Sequence, residues 1–299
     1  MIDLFYKIEP FLIYGIIKGF LFALLAVGFC LFYKTTKIFH IAYGLIYTSA
    51  SYFAIFFIEK VKTGIPISLI LALLFTSLIG LSIEKLVYFP LRKRRAASGS
   101  YLVSSIGVYV IGINVISLIF GNKTRILSLE RGGFSIHGIS LTKVQLYQFT
   151  TSFLLLVVFF FFLKKSRMGN LITALADNPT LFQIFGWSEK STRSATVIIS
   201  SIFGGIASLL FTFDVGINPH VGMNALLISA VAMIIGGVKN LRGSALAGIG
   251  LGIIQGLVAW QISARWEDAV TFLILTVYLL IFRKKIVGRV RVEEYGPII

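Results

Sequence analysis

Acidic side chains are scarce in this chain: 12 Asp and Glu stand against 28 Lys and Arg among 299 residues, and charged residues together make up only 13%. Soluble domains average about 25% charged residues, so an ordinary soluble fold is excluded. A self-sufficient proton- or sodium-coupled carrier usually needs carboxylates inside the membrane or an equivalent site, and the scarcity of acids argues against one. Cysteine is nearly absent. Cys30 lies alone in the first apolar run, which excludes an internal disulfide and reads as a packed small residue. No stretch fits G-x-x-x-x-G-K-S/T, so the chain has no phosphate-cradling loop of its own. His40, His137 and His220 are scattered without metal-ligand spacing, and no Ser/His/Asp arrangement stands out. The expectation is a protein that is not an enzyme and needs no cofactor or metal of its own.

Hydrophobic residues, by contrast, make up 57%, and mean hydropathy is +0.91. Apolar runs near the roughly 20 residues needed to cross a bilayer recur along the chain. They predict an all-α polytopic membrane protein with about nine spans (a range of 8–10 transmembrane helices), at 11–33, 38–58, 65–89, 101–120, 145–163, 193–212, 224–238, 243–261 and 268–282. Continuous long runs favour helices over an alternating barrel pattern. The N-terminus Met1–Lys7 lacks a basic region and a small-residue cleavage site, so the first run is expected to stay as a span.

The net charge of +16 is not read as a nucleic-acid signal, because its sources sit in particular loops. Lys34 and Lys37 follow the first run, Arg92–Arg95 the third, Lys164, Lys165 and Arg167 the fifth, and Arg283, Lys284, Lys285, Arg289 and Arg291 the last. Short loops rich in Lys and Arg stay in the cytoplasm. Segment 213–223 carries Asp214 without Lys or Arg, and loop 121–143 has mixed charge; both are expected outside. The N-terminus is then outside and the C-terminus cytoplasmic.

One piece does not read as a span. In Ala174–Gly186, Asn178 is a good helix N-cap, Pro179 suits the first helical position, and Gly186 supplies a left-handed stop. A short helix over 179–185 would present Leu181, Phe182, Ile184 and Phe185 as a sticky face on the cytoplasmic side. Its bland alternative is an amphipathic segment lying on the membrane surface.

Inside the spans, Gly15, Gly19, Gly28, Gly204, Gly205, Gly243, Gly248, Gly250, Gly252 and Gly256 would allow close helix contact, the main source of packing in lipid. They could equally form a wall that rearranges during access switching. Lys18 is expected to snorkel outward and Glu84 to be an interfacial charge. His40, Tyr43 and Gly44 put polar groups and a glycine at the start of the second run, Asn114 lies mid-span, and Asn218-Pro219 sits in an outer loop. These residues could line a path for solute. Ordinary alternatives are an interfacial helix entry, an interhelical hydrogen bond and a simple turn, respectively.

Several segments resemble the permease subunits of branched-chain amino acid ABC importers, a family that extends to urea, amide and some sugar importers. Gly15-x-x-x-Gly19-x-x-Phe22-Ala23-Leu24-x-Ala26-x-Gly28 is similar to its opening span. His40–Gly44 stands where the family usually has Asn-Phe-Ala-His-Gly, with His40 in place of the Asn and Tyr43 in place of the His. Ile83–Arg92 is close to its Leu-Glu-Arg-x-x-Tyr-Arg-Pro-Leu-Arg, and Ser104-Ser105-Ile106-Gly107 resembles the start of its next helix. Met168–Gly186, including Ala176, Asp177, Asn178 and Pro179, resembles its coupling loop, and Gly216–Pro219, Gly236–Val238 and Gly243–Ala245 resemble its late motifs.

The resemblance implies one transmembrane permease domain, 1–299, with a cytoplasmic coupling segment at 166–191, in a bacterial-type inner (plasma) membrane. It implies a second homologous permease, two ABC ATPase subunits that bind the ATP, an external solute-binding protein, surrounding membrane lipid, and no nucleic acid. Residues 176–179, 181, 182 and 184–186 would couple to the ATPase, and His40, Tyr43, Gly44, Ser104, Ser105, Asn114 and Asn218 would lie along the path. A permease for urea, amides or another small solute, a self-sufficient carrier, and a scaffold without transport activity are the rival readings.

Overall fold

The computed structural model describes residues 2–127, 132–136 and 139–281. Twelve helices run in order: α1 (Ile2–Thr36), α2 (Tyr43–Ile55), α3 (Ile65–Ile83), α4 (Phe89–Lys93), α5 (Ser98–Phe120), α6 (Lys143–Lys165), α7 (Arg167–Asp177), α8 (Pro179–Ile184), α9 (Glu189–Asp214), α10 (Val221–Gly236), α11 (Leu241–Gln261) and α12 (Glu267–Ile281). A wide π turn, Phe56–Lys60, prolongs α2, and another, Glu84–Tyr88, joins α3 to α4 without a break. Each of the nine anticipated spans falls on a helix.

Among the described residues, six helices are long and apolar enough to cross a membrane: Ile8–Thr36 of α1, Ile65–Lys93, α5, α6, α9 and α11. The other three anticipated spans fall on shorter stretches of described helix. At about 1.5 Å per residue, α10 with its 16 residues falls short of a full bilayer core of about 30 Å, and α12 is described from Glu267 to Ile281. The run expected to begin at 38 becomes helical only at Tyr43, because Lys37–Ala42 form an irregular bend that starts with Lys37 at φ 59°. A feature the sequence did not announce is the antiparallel hairpin of β1 (Gly133–Ile136) and β2 (Ile139–Thr142), which pairs Gly133 with Thr142 and leads into α6.

The centre of the bundle is α1 packed along α11, with α2, α9 and α10 around them. Small residues make that centre possible. A Cβ on Gly252 would lie 2.2 Å from the Cα of Gly19, and one on Gly256 would lie 3.0 Å from the Cα of Gly15. The backbones therefore touch, and only hydrogen fits between them. Gly44 of α2 and Gly222 of α10 cross in the same way, a Cβ on Gly222 falling 2.2 Å from the Gly44 carbonyl oxygen. Gly28 and Gly204 instead make room for the ring of Tyr43. A Cβ on Gly250 would meet nothing within 4 Å among the described residues, so close packing there does not require a glycine. Between α2 and α9, Ser51 bonds Ser208 and Thr212, each at 2.6 Å, so buried hydroxyls pair with one another away from water.

Lys18 does not snorkel freely. It forms an ion pair with Glu267 at the start of α12 and lies over the ring of Phe22. Glu84 is buried and paired with Arg92 at 2.9 Å, two turns further along the same continuous helix.

The helix ends sort the charges. Lys34, Lys164, Lys239 and Arg242 line one cleft, while Lys85, Arg92, Lys93, Lys190 and Arg193 line a second of about 420 Å³ together with Glu84 and Glu189. The first cleft sits where α1, α6 and α10 end and α11 begins, the second where the π turn and α4 meet the start of α9. At the opposite end Arg125 reaches Glu59 at 3.2 Å and pairs its backbone with Ile217. The last basic cluster, Arg283–Arg291, and His137 lie outside the described residues.

Candidate functional site

At the basic end, the chain between α6 and α9 folds back as two short helices. Ser166 ends α6 and caps α7, its hydroxyl accepting from the Gly169 N–H at 2.9 Å. Asn178 then leaves helical geometry (φ −147°, ψ 97°), and its Oδ1 accepts from the Leu181 N–H at 3.0 Å to start α8. Pro179 takes the first helical position, where no N–H is needed. Gly186, at φ 74°, turns the chain out of α8 in a conformation that side chains with a Cβ rarely adopt. Ser188 caps α9 through the Ser191 N–H. The expected helix over 179–185 is therefore present as Pro179–Ile184, stopped where Gly186 was expected to stop it.

Its face differs from the expectation in one residue. Leu181 is 50% exposed, Ile184 74% and Phe185 63%, but Phe182 only 1%. Phe182 turns inward, its ring 5.2 Å from that of Trp187, and anchors α8 to the protein's own body. Trp187, 42% exposed and stacked on Phe185 at 5.3 Å, takes its place on the outer surface. Ala176 is buried at the end of α7, and exposed Asp177 reaches Lys34 of α1 at 3.7 Å. The outer apolar set is thus Leu181, Ile184, Phe185 and Trp187. Trp187 was missed because it lies past the glycine stop, outside the helix period.

The residues proposed to line a path separate into three places. His40, Tyr43, Gly44 and Ser105 are all buried within the chain. His40 Nδ1 lies 2.7 Å from the Tyr88 hydroxyl, which donates to Ser105 Oγ at 2.8 Å; Ser105 Oγ also accepts from the Ala42 N–H at 2.9 Å. The imidazole stacks on Phe32 at 4.3 Å. This knot ties the α1–α2 bend to the π turn after α3 and to the start of α5. Tyr88, its central member, stood inside a recognised motif but gave no sign of its partners. Tyr43 aims its hydroxyl at the carbonyls of Leu25 and Ser200, at 3.4 and 3.5 Å. Ser104 is half-buried beside the knot.

Asn114 lies apart, on the exposed side of α5, where its amide donates to the Val110 carbonyl at 2.7 Å. Asn218 is at the opposite end of the bundle from α8. Its Oδ1 accepts from the His220 N–H at 3.0 Å, which makes the Asn218-Pro219 step a closed turn before α10.

A multi-pass helical bundle with glycine-seamed inner helices, and with a capped apolar helix projecting from its basic end, has the architecture of a membrane transport subunit. The comparisons narrow the class. Residues 11–279 match the family model described as branched-chain amino acid transport system/permease component, and the chain belongs to that family. It is similar to the high-affinity branched-chain amino acid transport system permease protein LivH of Salmonella typhimurium, 28% identical over 295 residues that cover 94% of this chain and 95% of the relative. It is also similar to the corresponding protein BraD of Pseudomonas aeruginosa, 27% identical over 298 residues (95% and 96%). A probable branched-chain amino acid transport permease protein, LivH of Methanocaldococcus jannaschii, is 26% identical over 255 residues (84% and 81%). No solved structure matches the chain.

Proposed function

We propose that this chain is the membrane-spanning subunit of an ATP-driven importer of branched-chain amino acids, and that α8 is its contact with a separate ATPase. The observation that carries the reading is the outer set at the basic end: Leu181, Ile184 and Phe185 on the capped helix and its C-cap, with Trp187 stacked on Phe185 just past the glycine stop. Short basic loops face the cytoplasm, so α8 lies on the side where ATP is available. The N-terminus lies outside and the C-terminus inside, in a bacterial-type inner membrane. Exposed apolar side chains at helical spacing suit insertion into a partner's groove. The chain itself has no phosphate-cradling sequence, so ATP is bound and hydrolysed by two partner subunits. A second homologous permease and an external solute-binding protein complete the assembly.

Nucleotide binding would draw the two ATPases together and displace α8, and the bundle would switch between outward- and inward-open states. That displacement biases the bundle only by the difference in ATPase affinity for the two states. Relatives carrying the same substrate in their names support branched-chain amino acids as cargo.

The test is the double variant Ile184→Asp and Phe185→Asp. Both side chains are exposed, so the bundle should fold normally. Binding of the ATPase subunits should weaken at least about tenfold, as for two anchor residues each contributing about 1 kcal/mol or more. Unchanged ATPase binding and unchanged substrate-stimulated hydrolysis in the reconstituted complex would overturn the docking role.

A further inference from the structure

We propose that Glu189 and Arg193 are positioning residues that tie α8 to the last turn of α1, so that a displacement of α8 reaches α1 and α9 together. The inference rests on α8 being the ATPase contact. Glu189, in the first turn of α9, accepts from the Gln183 amide of α8 at 2.5 Å and from Arg193 Nε at 2.6 Å. Arg193, only 7% exposed, uses its Nη1 to donate to the Thr35 carbonyl of α1 at 2.8 Å. That carbonyl belongs to the last turn of α1, where no intrahelical N–H remains to pair it. Next to it, Lys34 reaches Asp177 at the end of α7. Both sides of the Asn178 break are therefore joined to two consecutive residues of α1.

The chemistry explains why a particular pair is needed. A covalent link through Gly186–Ser188 would let α8 swing without moving α9, because Gly186 sits in the left-handed region that only glycine tolerates easily. Exposed ion pairs are weak ties. Here the guanidinium is buried, so loss of the carboxylate would leave it short of a partner among helices, and the Glu189–Arg193–Thr35 part of the tie resists rupture, while the Gln183–Glu189 bond that carries it to α8 is exposed. The planar fork of Arg193 grips Glu189 and Thr35 at the same time, which a lysine's single ammonium at that position does not reproduce. Beyond Thr35 the chain bends through Lys37–Ala42 into the buried His40, Tyr88 and Ser105 knot. A pull on the end of α1 is thus applied at the bend that orients α2.

The measurement is solute imported per ATP hydrolysed by the full complex in liposomes, with the binding protein present. Three variants are compared with wild type: Arg193→Lys, Glu189→Gln and Gln183→Leu. Each should retain its ATPase subunits and its stimulated hydrolysis, while the transport ratio falls at least about fivefold, the lower end of ordinary coupling between sites. Gln183 is exposed, so Gln183→Leu remains informative even if the substitutions at buried positions impair folding. A wild-type ratio in assembled Gln183→Leu overturns the proposal, and so does a fall in yield or melting temperature alone. If the Ile184 and Phe185 double variant binds ATPase normally, the docking reading fails first, by a result this ratio does not depend on.

Discussion

Helices α1 and α5 look alike by composition and have opposite fates. Their apolar windows have mean hydropathy 2.3 and 2.2, yet 83% of the first is buried inside the protein and only 17% of the second. Both also contain several glycines. Gly15 and Gly19 of α1 meet the backbone of α11, whereas in α5 Gly99 and Gly107 meet nothing within 4 Å and Gly112 meets the side chain of Leu45. Hydropathy therefore identifies a helix that can live in a membrane but not its neighbours. A small residue brings two backbones into contact where the partner is small at the same level, as Gly252 is opposite Gly19; opposite a large side chain, as Gly28 and Gly204 are opposite Tyr43, it makes room for that side chain instead. The outer face of α5, with Val103, Ile111, Leu118 and Ile119 exposed and Asn114 among them, is left for lipid or another subunit.

Substitutions can break this contrast. The largest effect is expected of Gly252→Leu, which would drive a side chain into the Gly19 backbone; the cost should lie at or above the top of the about 1–3 kcal/mol typical of overpacking. Loss of the monodisperse peak on detergent size exclusion would register it. A smaller loss, about 1–3 kcal/mol, is expected of Tyr88→Phe, because His40 Nδ1 loses its partner in a buried site. A lower melting temperature in detergent, with the bundle still assembled, is the result that fits. The smallest effect is expected of Leu118→Ala on the outer face, within about 0.5 kcal/mol of wild type. A clear drop in its melting temperature would mean that α5 is covered within the folded chain after all, and the division into inner and outer helices would have to be redrawn.

Much of the segment from Ser166 to Ser188 was legible before folding. Asn178, Pro179 and Gly186 act within a few residues of themselves, so their roles as cap, first-turn proline and stop follow from local stereochemistry. Phe182 was misjudged because helical periodicity places it on a face without saying whether that face turns toward the body or away. Glu189 and Arg193 were not singled out at all. A glutamate and an arginine before a long apolar run read as ordinary interfacial charge, and their importance depends on Gln183 and Thr35, the latter 158 positions away from Arg193. The His40 knot was half visible: its polar members were noted, but as separate residues facing a path rather than as one buried cluster.

What the sequence by itself determined is the solvent and the local geometry. Hydropathy selects lipid over water because each apolar side chain contributes wherever it sits, and the helix caps work because their partners are only two or three residues along. What only the tertiary structure decided is which spans form the centre, which aromatic of α8 faces inward, and which charges hold α8 to α1. Those outcomes depend on pairs of residues far apart in the chain, such as Gly19 with Gly252 or Arg193 with Thr35, and a pair has no identity until packing brings its members into contact.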